Sequence, residues 1–267
     1  MKKQEFIGIV LLVIKVKTVN DYIKNPNVKI KYFETLPSTT AYLKENAEEL
    51  FEGTVIFAGN QTAGRGRFTR KFHSPKNSGI YMSILLKPDY KGFDATLITT
   101  LAAVAVSESV EELSNKKTEI KWVNDVLIED KKICGILTEG KIDPETLKPQ
   151  FVVLGIGINA FVPEGGFDEE IKNIAGAVFD NLDEDLKNRL TASVIDRVFN
   201  YINCSKKDIL EKYKNRLFLL GQKISVIKND EKIPAVALDI DENFRLLVRY
   251  ENGKKEYISS GEISIKL

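Results

Sequence analysis

Residues 54–71, TVIFAGNQTAGRGRFTRK, join a short apolar run to a loop in which glycines alternate with arginines. Thr54 to Ala58 reads as a buried strand. The loop it delivers, Gly59 to Arg70, has the backbone freedom to approach a ligand closely and guanidinium groups suited to carboxylate or phosphate oxygens. Its spacing is neither the G-x-x-x-x-G-K-[ST] of a P-loop nor a glycine fingerprint opening a helix. An exposed basic surface loop is the alternative reading of the same composition.

Upstream, Val28 to Phe33 alternates apolar and charged residues like a half-buried strand. Pro37-Ser38-Thr39 then opens a helix running towards Leu50, with Gly53 closing it. Downstream, Gly79 to Lys87 reads as a strand, and Asp94 starts a long helix whose Leu97, Leu101, Val104 and Ala105 share an apolar face. Lys121 to Glu129, Lys132 to Glu139 and Phe151 to Ile158 follow as strands of one sheet, the first two forming a hairpin around Asp130-Lys131. After a Gly/Pro loop, Val162 to Phe167, come helices around Leu182 to Ile202 and Ile209 to Phe218. From Gly221 onward the pattern changes to short strands at Ile224–Ile227, Ala235–Ile240, Phe244–Tyr250, Lys254–Ile258 and Ile263–Leu267, with Asn252-Gly253 as a hairpin turn. This predicts a separate β-barrel of SH3-like size.

Composition sets outer bounds. The 267 residues are 43% apolar and 29% charged, which suits a soluble chain of two domains. Thirty-nine basic against 38 acidic residues leave a net charge of +1, so no global field favours nucleic acid or an anionic membrane. The two cysteines, Cys134 and Cys204, are too few for a disulfide framework and lack metal spacing; a reducing compartment fits, with each a small buried hydrophobe. The sole histidine, His73, has no partner at metal or triad spacing, and no G-x-S-x-G elbow is present. Phe6 to Ile14 (FIGIVLLVI) follows two lysines but is too short to span a bilayer, and no small-residue cleavage site follows; a buried strand or extra N-terminal segment is expected.

Two further segments carry polar groups into apolar strands. Lys121-Trp122-Val123-Asn124-Asp125 places the only tryptophan between a lysine and an Asn-Asp pair. Lys132 then enters the apolar run Ile133 to Leu137, where it either snorkels to water or projects into a pocket. In Gly155-Ile156-Gly157-Ile158-Asn159 the two glycines lie on one strand face; they either clear space for a flat ligand beside Asn159 or admit a closely packed helix.

Taken in order, Gln-Thr-Ala-Gly-Arg-Gly-Arg (61–67), Lys-Trp-Val-Asn-Asp (121–125) with Lys-Lys-Ile-Cys-Gly-Ile-Leu (131–137), Gly-Ile-Gly-Ile-Asn (155–159) and Gly-Glu-Ile-Ser (261–264) resemble the biotin protein ligases from about Ile30 to the C-terminus. The resemblance implies an α+β fold: a class II synthetase-like mixed sheet with flanking helices at 28–219, an SH3-like domain at 220–267, and an N-terminal extension at 1–27. It implies activation of biotin by MgATP to biotinyl-5′-AMP, then transfer to a lysine of a biotin carboxyl carrier domain of a biotin-dependent carboxylase, in the cytoplasm. A winged-helix DNA-binding domain needs more chain than precedes Ile30, so no specific DNA and no membrane are expected as partners. The family often forms a homodimer through the catalytic sheet. A lipoate ligase or lipoyl/octanoyl transferase shares the catalytic fold and is the nearest alternative; a ligase with an added regulatory, DNA-binding role is another.

Carried across by residue, the resemblance puts Ser38, Thr39, Thr40 and Gln61 at the biotin ureido ring, with Gly64, Arg65, Gly135 and Gly155 completing the cradle. Arg67 and Arg70 would meet phosphate and adenylate. Phe72, Trp122, Asn124 and Asn159 would shape the nucleotide pocket, and Asp125 would help hold Mg²⁺. Lys132, bridging the biotin carboxylate and the α-phosphate, and Arg67 are the expected catalytic residues. Gly64 to Arg70 is the expected lid, with Phe161 to Phe167 the second candidate. The chain departs from the family in Pro-Ser-Thr-Thr for Ser-Thr-Asn, in Val123 for proline and in Phe72 for tryptophan. In an ideal strand Lys132 and Gly135 face opposite ways, so a shared pocket implies a bulge or a backbone-only role for Gly135.

Overall fold

The computed structural model describes residues 16–67, 70–88, 94–228, 231–259 and 262–265. The apolar run 6–14, the loop residues Phe68 and Thr69, Gly261 and the last two residues lie outside them.

The first sheet is built from β1 (Lys29–Leu36), β2 (Thr54–Gln61), β3 (Gly79–Leu86), β4 (Glu119–Lys121), β5 (Asp125–Ile128), β6 (Lys131–Ile142) and β7 (Pro149–Asn159), in spatial order β1-β2-β3-β7-β6-β5-β4. Only β1 and β2 run parallel, so the sheet is mixed as expected. Both faces are covered, which is why β3 reads as an unbroken apolar run rather than an alternation. On one face Val55, Phe57, Ile84 and Leu86 join the main core with α3 (Ala95–Ser114) and α4 (Glu184–Ile202). On the other, Ile56, Leu85 and Val153 pack against Leu43 and Ala47 of α2 (Thr39–Asn46) and the turn after it. Asp94 caps α3 by accepting from Thr96 and Leu97 N–H groups, a contribution of about 1 kcal/mol. A short helix at 16–22, α1 (Val16–Tyr22), was not anticipated; Asp196 of α4 accepts from the backbone N–H groups of Lys24 and Asn25 just beyond it.

Helix α5 (Lys206–Lys214) leads into β8 (Lys223–Lys228), β9 (Glu231–Ile240), β10 (Leu246–Tyr250), β11 (Lys255–Ile258) and β12 (Glu262–Ile265), an antiparallel sheet in the order β11-β10-β9-β8-β12. The small SH3-like unit is therefore present, but as an open five-stranded sheet rather than a closed barrel among the described residues.

Three local expectations need correction. The strand expected over Lys121–Glu129 is two strands, β4 and β5, folded against each other with Glu119 opposite Leu127, and Trp122 to Asn124 make the reversal. Trp122 and Val123 favour strands, but bonds to the C-terminal third of the chain, described below, outweigh that preference. Gly53, at φ +80°, turns the chain into β2 rather than capping α2, which ends at Asn46. Cys204 is exposed after α4, whereas Cys134 is buried in β6 as expected.

Candidate active site

A cleft of about 170 Å³ opens where the start of α2, the end of β2, the β4–β5 turn and strands β6 and β7 converge. Of the expected residues, Ser38, Thr39, Thr40, Gln61, Arg65, Arg67, Arg70, Phe72, Trp122, Asn124, Asp125, Lys132, Gly135 and Gly155 line it. Gly64 stands in the loop wall behind, and Asn159 lines an adjoining cavity of about 310 Å³.

One end of the cleft is a chain of small polar groups. Ser38 caps α2, its Oγ accepting from Ala41 N. Thr39 donates through both N–H and hydroxyl to Gln61 Oε1 at 2.9 and 3.2 Å, and Gln61 Nε2 donates to Ser74 Oγ at 2.9 Å. The hydroxyls of Thr39 and Thr40 lie 2.8 and 3.0 Å from Ser83 Oγ. Ser83, fully buried on β3, faces them because its cross-strand partner Gly155 has no side chain: a Cβ there would stand 2.7 Å from Thr40 Oγ1. Ser83 and Ser74 escaped the sequence reading. The available signal was a lone serine inside the apolar strand GIYMSILL, since a buried hydroxyl needs partners.

The other end carries charge. Between β5 and β6 the register shifts, with Val126 opposite Cys134 but Leu127 opposite Lys132. This bulge puts Lys132 on the same side as Gly135, whose missing Cβ would lie 3.2 Å from Lys132 Cε and Nζ. Lys132 Nζ sits 2.7 Å from Asp125 Oδ1 as an ion pair without hydrogen-bond alignment, and that buried oxygen has no hydrogen-bond partner. The lysine thus projects into the cleft rather than snorkelling away. Arg67 Nη1 donates to Asn124 Oδ1 at 3.1 Å, while Asn124 exchanges bonds with Ile136 through its Nδ2 and its backbone carbonyl, both at 3.0 Å. Arg65, half exposed, lies 3.6 Å from Glu139.

The glycine- and arginine-rich loop closes on itself: Gly66 N donates to Arg70 O at 2.7 Å and Phe72 N to Gly64 O at 3.0 Å. Gly64 is required by this packing, because a Cβ would come within 2.4 Å of Phe72 O. The Phe72 ring lies over Gly157 and Gly135, which are cross-strand partners, and meets Tyr81 edge-on. Beyond it the larger cavity is walled by Pro163, Phe167, Ile171 and Ile174. Asn159 Nδ2 donates to Gly176 O at 3.0 Å there, and His73 Nδ1 is 2.5 Å from Asp168 Oδ2 at the rim. Arg70, Lys71, Phe72 and Lys132 border both cavities. The whole can seat a bipartite ligand: a polar ring among hydroxyls and amides, anions at the junction, and a flat ring system in the apolar cavity.

Residues 32–159 match the family model described as the Biotin/lipoate A/B protein ligase family, and residues 219–266 match the Biotin protein ligase C terminal domain. The chain carries biotin protein ligase family domains. Among curated relatives, the Bifunctional ligase/repressor BirA of Bacillus subtilis is 42% identical over 145 residues, which is 54% of this chain and 44% of that protein. The chain thus spans less than half the length of that relative. The Biotin--[acetyl-CoA-carboxylase] ligase of Mycobacterium tuberculosis is 28% identical, with 79% of each chain covered. Among solved structures, the biotin protein ligase from Aquifex aeolicus in complex with biotin and ATP superposes with a TM-score of 0.74 at 28% identity, covering 89% of this chain and 98% of that one. No helix among the described residues is long and apolar enough to cross a membrane.

Proposed function

We propose that the chain activates biotin with MgATP to biotinyl-5′-AMP and transfers the biotin to a lysine of a biotin carboxyl carrier domain, in the cytoplasm. The observation that carries this reading is the Lys132 ammonium at the junction between a hydroxyl-and-amide slot and an apolar cavity. A biotin head matches the slot, because its ureido N–H and C=O edges pair with Ser38, Thr39, Thr40 and Gln61 while Gly155 leaves room for the ring. Gly64, Arg65 and Gly135 complete the cradle.

In the first step a biotin carboxylate oxygen attacks the α-phosphorus of ATP, and the bond to the β-phosphate oxygen breaks to release pyrophosphate. Two anions must approach, and Lys132 with Arg67 and Arg70 supplies fixed positive charge where they meet. Phe72, Trp122, Asn124 and Asn159 shape the nucleotide end. Mg²⁺ neutralises the triphosphate when bound. The donor set fits an ion held mainly by substrate phosphates, since Asp125 is the carboxylate lining the cleft and its Oδ1 accepts no hydrogen bond. In the second step the acceptor amine attacks the acyl carbon of the anhydride and AMP leaves. No covalent enzyme intermediate is needed, so a cleft without a nucleophile–base pair is sufficient. Residues 28–219 form the catalytic domain and 220–267 the SH3-like domain in this reading; loops 64–70 and 161–167 close over the anhydride to exclude water.

The test is to incubate the purified chain with biotin, MgATP and a carrier domain and to weigh the acceptor. A mass gain of one biotinyl group on a lysine is expected. Pyrophosphate release with lipoate but not with biotin would overturn the reading.

A further inference from the structure

Residues 122–124 form the three-residue reversal between β4 and β5, and they are held by the C-terminal third of the chain. Trp122 Nε1 donates to the Phe244 carbonyl at 2.9 Å, the Tyr213 hydroxyl donates to the Val123 carbonyl at 3.1 Å, and Ile120 N donates to Arg216 O at 2.7 Å. These contacts are dry: Trp122 is 3% exposed, and Tyr213 and Phe244 are fully buried with their rings edge-to-face at 5.9 Å. Phe244 adopts φ +57°, a left-handed conformation that a phenylalanine rarely takes and that persists only where packing over-determines it. Its carbonyl, part of the turn between β9 and β10, is thereby aimed at the indole.

The reversal and the first residue of β5 after it supply two polar pairs at the junction of the site. Asn124 takes Arg67 on its Oδ1 and is itself pinned to Ile136, while the next residue, Asp125, takes Lys132. Burial pushes the Tyr213 phenol well above its ordinary range, with Asp125 raising it further and Arg67 lowering it, so its hydroxyl lies in the field of both charged groups.

We infer that Tyr213 is a positioning residue of the ligase reaction: with the Phe244 carbonyl it fixes the turn at 122–124, and through that turn it sets Arg67 and Lys132 for the nucleotide. This rests on the adenylation reading above. Tyr213 lines neither cavity; it acts through Val123. The C-terminal segment is thus part of the nucleotide end of the site and not of its biotin end, whose hydroxyl chain is built from α2, β2 and β3 and the serine following the loop.

Tyr213→Phe in the full chain removes one hydroxyl and leaves the ring packing intact. Loss of a buried hydrogen bond that orients two cations is expected to lower kcat/KM for ATP in biotin-dependent pyrophosphate release by about tenfold, with the biotin Kd from calorimetry within about twofold. A purely structural role would lower the melting temperature and leave the ATP parameters of the folded enzyme unchanged. Because Trp122 is the only tryptophan, its emission reads the turn directly and is expected to shift in the variant without any ligand. Unchanged ATP kinetics with unchanged Trp122 emission in a folded variant overturns the inference, as does an equal loss towards biotin and ATP. If Tyr213→Phe does not fold, Phe244→Leu loosens the ring packing that seats Tyr213, and the same selective loss towards ATP is required of it. An inactive wild-type chain would sink the adenylation reading instead, while the emission shift would still report whether Tyr213 fixes the turn.

Discussion

Gly155→Ala tests the polar end of the cleft with a single methyl group. The new Cβ would stand 2.7 Å from Thr40 Oγ1, 3.4 Å from Leu137 O and 3.6 Å from Ser83 Oγ. Ordinary carbon–oxygen contact needs about 3.4 Å, so the Thr40 hydroxyl must retreat by about 0.7 Å. It has little room to do so, because Thr40 is buried in the first turn of α2, whose backbone is held by the Ser38 cap and by Thr39 bonding to Gln61. Retreat stretches the Thr40–Ser83 contact from 3.0 Å past hydrogen-bond range, or rotates the hydroxyl out of the slot. A buried hydroxyl pair lost in this way costs about 1–3 kcal/mol, a factor of about 5 to 150 in biotin affinity. Isothermal titration of the folded variant with biotin measures it. Gly157→Ala makes the opposite test, since its Cβ would fall 2.4 Å from the Phe72 ring and should disturb ATP before biotin. A biotin Kd within twofold of wild type for Gly155→Ala, in a protein with unchanged melting temperature, refutes the assignment of ends.

Three further outcomes are expected. Lys132→Ala removes a cation that is only partly screened, with its side chain 35% exposed, and should cut biotin-dependent pyrophosphate release by about 10²–10³-fold; activity within threefold of wild type would remove Lys132 from the chemistry. Burial lowers the Lys187 ammonium from 10.5 to about 8, so between these values the unfolded chain holds a proton that the folded chain has released. The stability of wild type relative to Lys187→Met should therefore rise with pH through that window and be flat below about 8, as chemical denaturation at stepped pH will show; a slope of the opposite sign would contradict it. Iodoacetamide should label native protein once, at exposed Cys204, because Cys134 is buried and its thiol is pushed up by that burial; two labels by mass spectrometry before unfolding would refute this.

The parts of the fold that the sequence made legible are those whose signals are local. Asp94 with its apolar stripe, the alternation of β1, the Asn-Gly turn before β11 and the glycine pair in β7 each state their structure within a few residues. The Lys132–Gly135 bulge was legible only as one of two ways out of a contradiction: two residues needed on one side at an odd spacing imply a bulge or a backbone-only role for Gly135, and the register shift between β5 and β6 decides for the bulge. What stayed hidden depends on distant partners. Trp122 and Val123 have strand preferences, and nothing near them in sequence announces Tyr213 or Phe244, which lie 90 and 122 residues away in the bonds they share. Ser83 was invisible for the same reason, since its meaning comes from Thr39 and Thr40 on α2 and from the space left by Gly155.

Three glycines explain why one cleft can separate two ligands. Gly155, Gly157 and Gly135 all clear the same face of adjacent strands, yet their surroundings differ: hydroxyls meet the first, while the Phe72 ring covers the other two. The change from polar to aromatic cover occurs over a single two-residue step along β7, about 7 Å. Lys132 reaches the boundary because its methylene next to the ammonium packs at Gly135, which a β-carbon would deny it. A substitution at any of the three therefore acts on one end or on the junction, and the end affected is set by which neighbour the new methyl meets. That makes the glycines, rather than the charged residues, the sharper probes of how the cleft divides its substrates.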